Sequence, residues 1–105
     1  MNIFGLEIKT KEERLREENA YMARIFPGGE AQREAVEREL KRRLPQCDSI
    51  MVMLWYVSLR DAMTSERNLS FNDAAARIGR NQGMIKMTPE MLEEIKQVME
   101  SERQS

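Results

Sequence analysis

Apolar and charged positions are distributed very unevenly along this chain. The one long apolar run covers residues 50–59, and charged residues dominate both flanks. The run contains neither Gly nor Pro, and its apolar pattern continues through Ala62 and Met63. That length exceeds a usual strand, and Met and Leu, which lose little rotamer freedom in a helix, outnumber the β-branched residues. The pattern predicts a helix over about 48–67, with Asp48 or Ser49 able to accept the free N–H groups of its first turn. Being apolar on all sides, it is expected to be buried on all sides, with Leu54 and Trp55 almost fully enclosed. A membrane span needs about 20 apolar residues. This run is half that length, so a core helix is expected and no membrane segment.

The flanks read as amphipathic layers that cover the run. Thr10 followed by Glu13 has the spacing of a capping box, so a helix should start near Lys11. Leu15, Met22, Ile25 and Phe26 give it a narrow apolar stripe on a highly charged rod. Pro27 keeps Phe26 out of helical angles, and Gly28 and Gly29 complete the stop. A second helix is predicted over roughly 31–44, with Ala35 or Val36, Leu40 and Leu44 on one side and Pro45 ending it. Glu34–Arg38, Glu37–Lys41 and Glu39–Arg43 are i,i+4 pairs in the favourable order, and Lys41, Arg42 and Arg43 suit the negative end of the helix dipole. Ser70 or Asn72 can cap a short helix that presents Phe71, Ala74, Ala75 and Ile78 and stops at Gly79. Residues 80–87 read as a loop. Thr88-Pro89-Glu90 is a strong helix start, and Met91, Leu92, Ile95, Val98 and Met99 form the cleanest apolar stripe in the chain. Residues 101–105 are expected to fray.

Phe4, Leu6 and Ile8 alternate with Gly5, Glu7 and Lys9. That period of two suggests a short strand or an extended arm, and the chain offers it no partner strand. The expected fold is therefore all-α: one domain of four to five helices around the central helix, with a short extended N-terminal arm over 1–9.

Composition narrows the function more by exclusion than by indication. A chain of 105 residues is one domain. A net charge of −1 argues against a polyanion binder driven by bulk charge. No histidine is present, which removes the Ser-His and Cys-His nucleophile pairs and imidazole-based zinc sites. Cys47 is the only cysteine, so no disulfide can form within the chain. A reducing, cytoplasmic setting fits, and no secretory signal stands at the N-terminus. Cys47 precedes a helix start, where a thiolate can be favoured, yet it has no histidine as a base; a passive, partly buried thiol is expected. Paired acids such as Glu12-Glu13 and Glu93-Glu94 alternate with Arg and Lys, as a solvated helix face does. The glycines and lysine of 79–86 lack the spacing of a phosphate loop. Met84, Met87 and Met91 lie outside the central run and read as core filling, with an accessible patch around Ile85 as the alternative.

Two functional expectations remain, and neither is enzymatic nor needs a cofactor or metal. The first is a small cytoplasmic protein acting by protein–protein association, most simply with itself. Two orphan segments carry it: the arm with Phe4, Leu6 and Ile8, and the first helix with Leu15, Asn19, Met22 and Phe26, two copies of which could pack across a two-fold axis. The second is a transcriptional regulator that binds DNA. Residues 72–88 partly resemble a helix-turn-helix: Ala75 and Gly79 are four apart, and Arg77, Arg80 and Lys86 form a positive strip. The resemblance implies a second helix lying in the major groove.

Overall fold

The computed structural model describes residues 10–65 and 67–104, with the backbone alone at 103 and 104. Phe4, Leu6 and Ile8, and with them the expected arm, lie outside the described residues. Among the described residues five α-helices follow in order: α1 (Lys11–Ile25), α2 (Gly29–Arg43), α3 (Ser49–Thr64), α4 (Phe71–Gly79) and α5 (Pro89–Gln104). The fold is all-α, a small bundle.

Local chemistry sets the helix starts. Thr10 Oγ1 accepts from the Glu13 N–H, Asp48 Oδ1 from Ile50 and Met51, Ser70 Oγ from Asp73, and Thr88 Oγ1 from Met91. Each bond satisfies a first-turn donor that the helix cannot. Between α1 and α2 the chain reverses through Pro27 and two glycines. Gly29 N–H donates to the Phe26 carbonyl at 2.9 Å, with Gly29 at a φ of +77°, a region L side chains rarely adopt. Along α2, Glu37–Lys41 and Glu39–Arg43 pair as expected, while Arg33 binds both Glu30 and Glu37. The α5 helix extends to Gln104, with no Gly or Pro among residues 101–104 to interrupt it.

The core gathers one face from each helix. Val36, Leu40 and Leu44 come from the α2 side. Val52, Trp55, Tyr56, Leu59 and Ala62 come from α3, Ala74 and Ile78 from α4, and Ile95, Val98 and Met99 from α5. The α3 helix packs against α1, α2 and α4, and α5 packs on α2. The Trp55 indole N–H donates to the Ile85 carbonyl at 3.1 Å and so ties the irregular stretch 80–88 to the core.

Candidate association surface

Burial along α1 changes abruptly. Every residue from 11 to 24 is exposed, whereas Ile25 and Phe26 are 0% and 2% exposed. Phe26 stacks on Tyr56 with ring centroids 5.8 Å apart, and beside it Arg24 pairs with Asp61 of α3. These contacts pin the C-terminal end of α1 to the C-terminal half of α3. The stripe expected along α1 therefore splits. Phe26, a sequence candidate for an oligomer contact, is a core residue and unavailable to a partner in this fold, because the turn at Pro27 drives it inward. Leu15, Asn19 and Met22 remain on the surface, with Leu15 55% exposed.

The α3 helix is not enclosed on all sides. Ile50, Leu54, Val57 and Asp61 share one face by their spacing of four, three and four residues. Ile50 is 76% exposed and Leu54 45%, so Leu54, expected inside, faces out while Trp55 beside it is buried. A helix has a full circumference, and the four other helices cover only part of this one. The uncovered part is its outer N-terminal half, which is as apolar as the covered part. Two apolar surfaces thus stand uncovered on one chain: Leu15 and Met22 on α1, and Ile50 and Leu54 on α3.

The stretch proposed to read DNA is built differently from a helix-turn-helix. Residues 80–88 form turns, a bend and irregular backbone, so no second helix that could enter a groove directly follows α4. Gly83 and the approach to Pro89 leave no room for one. Arg77 and Arg80 are exposed, but the Lys86 ammonium donates to the Gly79 carbonyl at 3.2 Å, closing the end of α4. Met84, Met87 and Met91 pack partly buried against the core, leaving Ile85 as the exposed apolar residue of that stretch.

Other candidate chemistry is sparse. A cleft of about 410 Å³ lies between the start of α2, the middle of α3 and the end of α5, where Tyr56, Arg60 and Glu102 meet. Burial pushes the Tyr56 hydroxyl up to about 12, and Arg60 Nε is buried without a hydrogen-bond partner. A neutral phenol, a guanidinium and a carboxylate offer no activated nucleophile. Cys47 is partly buried against the core, and the adjacent first-turn N–H groups of Ile50 and Met51 donate to Asp48. Among the described residues no three Cys, Asp or Glu side chains converge as a metal site, and no helix is long and apolar enough to cross a membrane. Sequence patterning missed the exposed face of α3, since an all-apolar helix carries no mark of which side stays open. Compared with known proteins, the chain matches no family model, no curated protein and no solved structure.

Proposed function

We propose that this protein acts by self-association, without catalysis, through its N-terminal helix. The observation that carries this is the exposure of all fourteen residues from 11 to 24, Leu15 and Met22 included, on a helix whose buried residue is Ile25. A 15-residue helix alone in water is marginal, and a stripe at i and i+7 gains stability once another apolar surface covers it. A lone cysteine with no disulfide partner in the chain is consistent with the reducing, cytoplasmic setting proposed with this reading. Self-association is preferred to DNA binding because the stretch carrying Arg77, Arg80 and Lys86 supplies no helix for a groove.

Sedimentation equilibrium on the full chain tests this. The wild type should show a concentration-dependent dimer, at the weak end of specific interfaces given the modest apolar area. Leu15→Glu combined with Met22→Glu should stay monomeric with an unchanged melting temperature. A wild-type chain that remains monomeric at high micromolar concentration would overturn the proposal. Truncation at Gly28 is unsuitable, since it removes the core residues Ile25 and Phe26. In the same preparations, no duplex complex should survive competitor DNA at physiological salt.

A further inference from the structure

We infer that the cleft between the start of α2, the middle of α3 and the end of α5 binds a free α-amino acid with an apolar side chain: Arg60, Tyr56 and Gln32 hold its carboxylate, and Glu102 its ammonium. This site is separate from the self-association surface proposed above and does not depend on it.

The cleft, of about 410 Å³, has the size of a small-molecule site, and polar groups on its wall lack partners. Tyr56 is 1% exposed, and its hydroxyl bonds to no other described residue. A buried phenol normally has a partner. Arg60 follows one turn later on the same face of α3. Its Nε is buried and unbonded, and its guanidinium forms no ion pair with another described residue. A cation drawn partly into a protein is normally paired. Gln32 brings a third group. Its Oε1 accepts from the Gly28 N–H at 2.6 Å, so its amide nitrogen is left to donate. Three donor side chains thus line one cleft and lack an acceptor. A ligand carboxylate supplies it, in the fork geometry that a guanidinium favours.

Glu102 decides between a plain acid and an amino acid. Its charge and that of Arg60 both act on the Tyr56 hydroxyl, in opposite directions. The two therefore lie around one point, without an ion pair between them. An anion alone meets repulsion from Glu102, and a cation alone meets it from Arg60. A zwitterion satisfies both. A carboxylate has about four lone-pair sites, so Glu102 can accept from an ammonium beside any other bond it makes. Met99 and Pro27 form the apolar part of the wall and cover the ligand's side chain.

Amide-shift titrations of the isotope-labelled full chain test this, with leucine and two truncated forms as probes. Isocaproate lacks the ammonium, and isoamylamine lacks the carboxylate. Leucine should bind saturably, with a dissociation constant on the order of a millimolar for so small a ligand. The amides of Gly28, Gln32, Tyr56 and Arg60 should shift most. Each truncated form should bind at least about tenfold more weakly, having lost a charge-assisted contact. Arg60→Gln should weaken leucine about tenfold, and Tyr56→Phe, which keeps the ring stacked on Phe26, about threefold or more. Both variants should keep the wild-type circular dichroism. Glu102→Gln should weaken leucine and tighten isocaproate, a reversal that a merely structural role would not produce. Leucine that does not saturate below about 20 mM overturns the inference. So does a truncated form that binds as tightly as leucine, or a Glu102→Gln chain that holds leucine unchanged.

Discussion

The two faces of α3 have nearly the same chemistry and opposite fates. Val52, Trp55, Tyr56 and Leu59 are 0–2% exposed, while Ile50 and Leu54, one or two residues away, are 76% and 45% exposed. The inner face meets α2 and α4 and carries the core. The outer face meets the C-terminal part of α1 near Asp61, where Arg24 pairs with it. Apolarity therefore says that a surface tends to be covered, and topology says by what. Where the chain's own helices run out, the same residue types stay exposed. The same division recurs on α1, whose first fourteen residues are exposed and whose last residue, Ile25, is core together with Phe26 after it.

The contrast can be broken from the inside first. Leu59→Ala, at a fully buried position, should cost about 2–5 kcal/mol of unfolding free energy from lost burial and the cavity left behind. Chemical denaturation at low protein concentration reads this, and a loss under about 1 kcal/mol would mean that the inner face of α3 is not the core.

Tyr56 gives the inner face a pH signature. Burial raises its hydroxyl to about 12 from an ordinary 10. The neutral phenol is the form the fold favours, so its contribution is intact below pH 10 and is lost as pH rises through about 12. At roughly 1.4 kcal/mol per unit, about 2–3 kcal/mol disappears over that window. Phenolate absorbance should rise late for one of the two tyrosines, together with loss of helix. Tyr21 is also shifted upward, by partial burial and by Asp61. Two coincident transitions near 10 would contradict the burial of Tyr56.

Trp55→Phe keeps an aromatic ring inside and removes the donor to the Ile85 carbonyl. It should cost at least about 1 kcal/mol and speed proteolytic cleavage within 80–88, because that stretch loses its tie to α3. Unchanged cleavage would show that Met84 and Met87 hold the stretch without it.

The smallest effect belongs to the outer face. Leu54→Ala, measured at concentrations where the chain is monomeric, should change stability by less than about 1 kcal/mol, as surface substitutions do. A loss above about 2 kcal/mol at such dilution would place Leu54 inside the monomer and erase the difference between the two faces.

The sequence by itself determined the elements. Caps at Thr10, Asp48, Ser70 and Thr88, stops at Pro27, Pro45 and Gly79, and the stripe of α5 are all legible, because capping and helix breaking act within about one turn of chain. The irregular backbone of 80–87 was legible for the same reason. The candidate surface was legible only in part. The apolar stripe of α1 showed that it needed cover, but not that Phe26 would take a place in the core while Leu15 and Met22 stayed outside. Only the tertiary structure decided that split, the outward turn of Ile50 and Leu54, and the use of Lys86 to close α4 in place of a second helix. The physical reason is that burial is a property of pairs of surfaces. A run of residues fixes how apolar a helix is, and which side faces inward depends on helices that are distant in the chain and limited in number.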